Sequence, residues 1–177
     1  MPGQTTEVRI PEPTVKVTGV VQINGAPVPG AQIMFTTRPV QSGLPKVVTD
    51  QDGFFEAMLP EAGPVSLRLS GNDVYSQGVG AVFNEGPNRF DWTITGGTLV
   101  IRDARGSRRE PFSIDVWFEG GFQRWSALLF PAGRELRGTP FGTHRIAIRR
   151  GLDVEEPITS VTISPDAPRA EAVIDVP

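Results

Sequence analysis

Cysteine is absent from this chain of 177 residues, and histidine occurs once, at position 144. Without thiols, neither a disulfide framework nor a thiolate metal site can form. A histidine-based zinc site needs more than one histidine or supporting cysteines, and a Ser-His-Asp triad needs its histidine beside a nucleophile. His144 lies at the mouth of a predicted strand. We therefore interpret it as a buried or rim histidine satisfied by the backbone, not as a catalytic base.

Long apolar runs and a strong excess of charge are also missing. No stretch approaches the ~20 apolar residues of a membrane span, so membrane insertion is not expected. Residues 1–13 are polar, interrupted by proline and without the basic and apolar regions of a signal peptide, which predicts a flexible tail. The net charge of −3 argues against general binding to nucleic acid. Arginines cluster between positions 102 and 109, among acidic residues and without an aromatic platform, so we interpret them as a solvated hairpin tip.

Turn residues are abundant instead, with 20 glycines and 17 prolines between short apolar runs. In residues 47–69, two apolar runs flank the turn Asp50–Gly53, a turn rich in proline and glycine follows, and residues 65–69 alternate with a period of two. This order is typical of an antiparallel meander. No stretch has helical periodicity over three turns. The sequence therefore predicts an all-β chain.

The same strand pattern occurs in both halves of the chain. A closing strand ends at Thr95 and Gly96-Gly97 follows at once, so we place a domain boundary there. The predicted organisation is two tandem antiparallel β-sandwich domains, residues 14–96 and 97–177, of which the second is a degenerate repeat of the first.

The turn Asp50–Gly53 has two interpretations. Asp50 and Asp52 could bind calcium as part of an oxygen-ligand loop, but Gly53 stands fourth instead of sixth and two phenylalanines occupy ligand positions. We interpret it as a structural turn, in which the aspartates cap turn amides and Gly53 supplies a positive φ. No metal, cofactor or catalytic residue is predicted.

Trp117 is the candidate contact residue. It lies on the same face of a predicted strand as Asp115 and Glu119. If the alternating apolar residues of this strand point inward, Trp117 is partly exposed. An exposed tryptophan flanked by carboxylates can stack on a sugar ring or anchor an interface, but we favour an inter-domain contact or an ordinary surface residue. These interpretations stay open.

The first half carries an ordered set of short motifs. They are V-x-G-x-V at 17–21, Pro29-Gly30-Ala31, T-D-x-D-G-x-F at 49–55, Leu59-Pro60 with Gly63, and the strand 65–69. In this order they resemble the carboxypeptidase regulatory-like domain, a transthyretin-like β-sandwich of prealbumin or immunoglobulin-like type, over residues 14–95. This chain has Ser70-Gly71-Asn72-Asp73 where the family often has an apolar-Gly-Tyr turn. The second half is similar as a degenerate copy that lacks the D-x-D-G hairpin.

The resemblance implies an accessory module without chemistry of its own. We therefore predict a non-catalytic structural or docking module of a larger, exported bacterial protein, with other protein domains or subunits as partners. The alternative is a carbohydrate-binding module that uses Trp117 and the adjacent loops, with a glycan as partner. The expected location is the periplasm or cell surface as part of a longer chain. The cytoplasm stays open because no signal peptide is present.

A self-made cross-link is the last possibility that the sequence raises. It would join Lys16 on the opening strand to Asn84 or Asn88 near the closing one, with Glu56 or Glu61 as the acid. That chemistry needs a neutral lysine buried in an apolar site. Because Lys16 alternates with two valines it should face solvent, and we predict that no cross-link forms.

Overall fold

The computed structural model describes residues 15–37, 45–71, 73–104, 112–119, 124–129, 133–150, 153–154 and 159–175. Within these ranges the regular structure is entirely β, which confirms the predicted class. The strands described are β1 (Val15–Ile23), β2 (Ala26–Pro27), β3 (Gln32–Thr37), β4 (Lys46–Val48), β5 (Phe54–Leu59), β6 (Gly63–Gly71), β7 (Val74–Phe83), β8 (Gly86–Arg89), β9 (Trp92–Ile94), β10 (Gly97–Asp103), β11 (Phe112–Phe118), β12 (Arg124–Leu129), β13 (Arg134–Thr139), β14 (Gly142–Arg150), β15 (Asp153–Val154), β16 (Thr159–Ile163) and β17 (Arg169–Ile174).

These strands form three sheets. In the first, β1 pairs antiparallel with β2 and β5 and parallel with β8 and β9. The second has seven strands in the order β17-β10-β13-β7-β6-β3-β4. The third has the order β12-β11-β14-β15, and β16 also pairs with β14.

The first core lies between the first sheet and the β7-β6-β3-β4 part of the second. Val15, Val17, Val21 and Ile23 of β1 alternate inward, as their period of two predicts. Gly19 stands on the same inward side. A Cβ at this position would clash with the carbonyl oxygen of Phe90, so the glycine permits a close approach of two backbones.

The second core lies between the β17-β10-β13 part of the second sheet and the third sheet. Leu99, Ile114 and Ile146 are among its fully buried residues, and they come from both sheets. Two sheets therefore enclose each core, and each half of the chain contributes a β-sandwich.

The turn Asp50–Gly53 joins strands of different sheets, so the predicted meander is wrong at this point. β4 pairs with β3, whereas β5 pairs with β1. The reason lies in Thr49, which is buried. Its Oγ1 donates to the Val28 carbonyl at 2.6 Å and accepts from the Ala31 amide at 2.9 Å. These bonds hold the chain in the interior, where it passes from one sheet to the other.

The second sheet runs from one core to the other through one parallel pairing, Val74 with Arg137. Paired residues on neighbouring strands point to the same side of a sheet, and successive residues point to opposite sides. Val74 belongs to the first core, whereas Leu136, next to Arg137, belongs to the second. The two cores therefore lie on opposite faces of the shared sheet at this junction. Whether residues 14–96 and 97–177 fold separately stays a prediction.

Candidate functional site

Trp117 lies on the face of β11 that points away from the second core. The inward residues of β11, Ile114 and Val116, are fully buried, and Trp117 is half-buried. It pairs across the sheet with Arg124 on β12 and Arg145 on β14. Trp117 is thus part of a sheet face, and two strands with arginines at the paired positions flank it.

The carboxylates beside Trp117 have different environments. Asp115 is fully buried, and its Oδ2 accepts from Arg149 Nε at 3.2 Å. A carboxylate without exposed surface cannot touch a ligand from solvent, so Asp115 does not fit the contact role that the sequence suggested. Strand alternation gave no sign that this side of β11 is covered there. Glu119 is exposed and forms an ion pair with Arg145. The surface that can meet a ligand is therefore Trp117 with the Arg145–Glu119 pair.

His144 is buried in the second core, as predicted. Its Nε2 lies 2.8 Å from the Pro140 carbonyl oxygen. The ring stacks on Phe118 with centroids 5.2 Å apart, and it meets the edge of Tyr75 at 6.0 Å. Burial lowers the pKa of His144, and the hydrogen bond to Pro140 opposes that shift. The imidazole is neutral at pH 7 and out of reach of a substrate.

The turn Asp50–Gly53 is held by hydrogen bonds from backbone amides to the Asp50 side chain. Asp50 Oδ1 accepts from the amides of Asp52 and Phe54, each at 2.9 Å, and Gly53 has a φ of 74°. The Gly53 carbonyl accepts from the Val21 amide at 2.8 Å, which ties the turn to β1. Over the described ranges, no three potential metal ligands gather at one place.

Lys16 lies on the exposed side of β1, as its alternation predicts. Its Nζ lies 2.8 Å from Glu56 Oε2, and both side chains are about half exposed. Asn88 lies in β8, where it pairs with Val17. The Asn88 amide nitrogen donates to the Asn84 carbonyl at 2.7 Å. Lys16 therefore has a carboxylate partner at the surface, in agreement with its predicted exposure, and the lack of a cross-link stays a prediction.

A second surface, which the sequence analysis missed, lies on the exposed face of β3, β6 and β7. Two adjoining depressions of about 300 and 540 Å³ share the residues Thr36, Ser66 and Gly80. Pro64 and Val82 line one end, and Arg68 and Gly78 the other. We call this surface the glycine groove. Its signal in the sequence is Gly78-x-Gly80 inside a strand, a spacing that places both glycines on one face.

The glycine groove differs from the exposed face of β10, β13 and β17. On that face Arg169 forms two hydrogen bonds with Glu135, each at 3.1 Å, and Arg102 lies 3.1 Å from Glu171. Paired charges of this kind suit contact with water. The residues that line the glycine groove are small or apolar apart from Arg68. The groove is therefore the less charged of the two faces.

Comparison with known proteins gives no family. No family model matches the chain, and no curated protein is significantly similar to it. The carboxypeptidase regulatory-like assignment therefore stays a prediction, whereas the β-sandwiches are seen in the structure. In the part of the chain that the structure describes, no helix has the length and apolar character to cross a membrane.

Among solved structures, the chain is similar to the Bacillus anthracis TIE protein at 13% identity and a TM-score of 0.39, covering 92% of this chain and 34% of that one. A streptococcal ancillary pilin is 15% identical with a TM-score of 0.37, covering 93% and 62%. A DUF3823 family protein from Bacteroides ovatus is 14% identical with a TM-score of 0.39, covering 85% and 99%. The chain thus spans less than two thirds of the first two proteins. At such scores the likenesses carry no functional argument.

Proposed function

We propose that this chain is a rigid, non-catalytic structural module of a larger, exported bacterial protein and that it acts through contacts with other protein domains or subunits. The observation that carries the proposal is the seven-stranded sheet that passes from the first core to the second. A sheet shared between two cores restrains their relative motion, because domains joined only by a linker are expected to move.

Hydrogen bonds at the junction support rigidity. The Arg137 amide donates to the Asp73 carbonyl at 2.8 Å, and Gln77 Nε2 donates to the Gly138 carbonyl at 2.7 Å. The Asn24 side chain bonds to both polar groups of the Gly96 backbone, donating to its oxygen at 2.7 Å and accepting from its nitrogen at 3.2 Å. The Arg137 and Gln77 bonds join the two halves, and the Asn24 bonds hold Gly96, the last residue of the first half, in place at the boundary.

Tyr75 adds a packing contact. It extends from β7, yet it is fully buried in the second core, beside His144. The register of β7 against β6 shifts between Leu69 and Gly71, so that one extra residue of β7 is accommodated next to Tyr75. A β-bulge re-aims the side chain at its position, which explains how a strand of the first core supplies a residue to the second.

The position of His144 supports a non-catalytic function. The chain has one histidine, and that histidine is buried. Acid–base catalysis requires a titrating group within hydrogen-bond reach of the substrate. A buried, neutral imidazole that already bonds to a backbone carbonyl does not meet that requirement.

Spin-label distances test the rigidity directly, and the lack of native cysteine makes labelling simple. Val48→Cys and Val173→Cys place labels on exposed residues of the two halves. We expect a narrow distance distribution in the doubly labelled full chain. The double variant Asn24→Ala, Gln77→Ala removes junction hydrogen bonds and should broaden it. A broad distribution in the otherwise unchanged chain would refute the rigid module.

Carbohydrate binding at Trp117 is the second candidate function. It is favoured by a half-buried tryptophan beside the exposed Arg145–Glu119 pair, because indole rings stack on sugars and charged groups bond to their hydroxyls. A glycan array followed by fluorescence titration tests it. Binding should be lost in Trp117→Ala and weakened in Glu119→Gln, while Glu171→Gln on the other face serves as the control. No response to any glycan would remove this candidate.

A further inference from the structure

Gly78 and Gly80 are glycines that the fold does not need. Neither has a positive φ. A Cβ at Gly80 would meet no atom within 4 Å, and one at Gly78 would meet only the Leu67 carbonyl, at 3.7 Å, an ordinary contact. Both are exposed, in the interior of a strand where glycine is disfavoured. Something outside the described fold must therefore account for them.

Most other glycines of the described ranges have a visible structural reason, a positive φ or a close neighbour, with Gly71 as the exception. Gly97, also without a positive φ, would place a Cβ on the side chain of Ile163 and the Pro168 carbonyl oxygen. Gly53 has a positive φ, and its Cβ would lie 2.5 Å from the Val21 carbonyl oxygen. Against this background, two glycines with free space on one face of β7 indicate a surface that another molecule approaches closely.

An aromatic side chain fits a surface formed by Gly78 and Gly80. Aromatic rings pack across glycines in a sheet and cover the backbone that the missing side chains expose. In a sugar-binding site the protein usually supplies the aromatic ring on which the sugar stacks. The residues that line the glycine groove include no aromatic side chain, so the groove does not fit a sugar. The groove thus fits a protein partner that brings an aromatic residue.

The chain itself carries a suitable aromatic residue on its opposite side. Phe54 is 39% exposed and is the single aromatic residue among the exposed large hydrophobic residues of the described ranges. It lies on the face of β5 that points away from the first core, together with Glu56 and Met58, which is 43% exposed. The first core separates this face from the glycine groove, so Phe54 cannot reach the groove of its own molecule.

Charge also matches between the two faces. Arg68 donates to Ser76 Oγ at 3.2 Å, and no carboxylate in the described parts of the chain forms an ion pair with it. Glu56 follows Phe54 by two residues, about 6.6 Å along a strand. Arg68 lies diagonally across from Gly80, at about 7–8 Å. A ring over Gly80 would therefore bring Glu56 close to Arg68, and an ionised carboxylate can accept from both Arg68 and its present partner Lys16.

We propose that the glycine groove binds the Phe54–Met58 face of a second copy of this chain. The two surfaces are different and lie on opposite sides of one sandwich, so the contact is head-to-tail and each molecule keeps a free groove and a free Phe54 face. Such contacts generate rings or open filaments. This inference rests on the proposed docking function and names its partner as another copy of the chain.

Sedimentation velocity on the full chain tests the proposal. The unchanged chain should form dimers and longer species as its concentration rises. Phe54→Ser removes the inserting ring and Gly80→Val fills the groove, and each should weaken association about tenfold or more, as loss of a central interface residue does. Val173→Ser, which alters an exposed apolar residue elsewhere, is the matched control and should leave association unchanged.

Mixing the two defective variants gives the sharpest result. Phe54→Ser keeps an intact groove and Gly80→Val keeps an intact Phe54 face. The mixture should therefore form a 1:1 dimer that grows no further, although each variant alone stays monomeric. Gly78→Val repeats the test at the other end of the glycine groove, in case Gly80→Val disturbs the fold.

Three results would overturn the proposal. They are a monomeric unchanged chain at every concentration, variants that associate as the unchanged chain does, and a monomeric mixture. Binding of a glycan or an unrelated protein in the groove of a monomeric chain would also overturn it. None of these results alters the spin-label distances, so the rigid-module function is judged separately.

Discussion

At the scale of single residues, glycines at two positions respond to substitution in opposite ways. Gly53 combines a positive φ with a crowded site, so Gly53→Val adds backbone strain of about 1–3 kcal/mol to a steric clash. Asp50→Ala removes two exposed hydrogen bonds, each contributing about 1 kcal/mol or less. The denaturant midpoint of Gly53→Val should be lower than that of Asp50→Ala. The opposite order would show that the turn is misinterpreted.

Gly80→Ala provides the contrast. Because the backbone there is extended and the added methyl group meets no atom, the variant should be more stable than the unchanged chain by about 0.5–1 kcal/mol. Urea unfolding at low protein concentration measures this without interference from association. Destabilisation by Gly80→Ala would mean that the fold itself requires the glycine.

His144 predicts how stability depends on pH. Burial lowers its pKa below the ordinary value of 6.5, so the unfolded chain binds the proton more readily than the folded one. Stability should therefore fall as pH drops below about 6.5 and level off below the folded-state pKa of the imidazole. In His144→Phe, which keeps a ring against Phe118, this slope should vanish.

Acidic groups change the stability in a lower pH range, so their effect can be distinguished from that of His144. Hydrogen bonds from Arg89 and Arg169 lower the pKa values of Asp91 and Glu135, whose ordinary values are 3.8 and 4.5. The stability that Asp91 and Glu135 contribute is complete at pH values above their ordinary pKa values. It is lost as the pH falls through their lowered pKa values in the folded chain. Unfolding free energies between pH 5 and 6.5 thus report on His144. A flat profile there in the unchanged chain would contradict its burial.

At the scale of elements, strand β7 serves both cores. Val74 packs in the first and Tyr75 in the second, and burial raises the pKa of Tyr75 to about 12. Tyr75→Ala should destabilise the second core by about 3–5 kcal/mol, as truncation of a large buried aromatic residue does. Amide hydrogen exchange should then accelerate in β10 and β14 more than in β1 and β5.

Val74→Ala is the matched control at the next residue. It opens a smaller cavity in the first core, so exchange should accelerate chiefly in β1 and β5. The same pattern of exchange for both variants would show that the two side chains do not serve different cores.

The local pattern of apolar and polar residues predicts the strands well, but it predicts poorly which strands pair with each other. The alternation of β1 predicted its four inward valine and isoleucine residues, because burial on one face selects a period of two. The turn Asp50–Gly53 indicated a hairpin, yet β4 and β5 lie in different sheets. That outcome depends on Thr49 bonding to Val28 and Ala31, contacts between residues 18 to 21 positions apart. Sequence neighbours alone contain no such information.

The candidate sites show the same limit. The sequence placed Trp117 on an outward face, but it gave no sign that Asp115 on that face is buried with Arg149. Burial of an outward residue depends on what covers the sheet. The glycine groove was missed because the free space around Gly78 and Gly80 becomes visible only when all neighbouring atoms are placed.

At the scale of the whole molecule, each half has its own core, and we expect fragments 14–96 and 97–177 to fold separately. The second fragment lacks Tyr75, which leaves a hole in its core, and the first exposes that side chain. Both fragments should give β-type circular dichroism and a cooperative melt, with fragment 97–177 the less stable. If neither folds, the chain is a single indivisible unit.

Differential scanning calorimetry of the full chain tests the central claim, that the shared sheet makes one rigid unit of two sandwiches. The unchanged chain, held dilute so that it is monomeric, should unfold in one transition whose calorimetric and van't Hoff enthalpies agree. The junction variant Asn24→Ala, Gln77→Ala should begin to separate that transition into two. Two independent transitions in the unchanged chain, at the temperatures of the isolated fragments, would contradict the account.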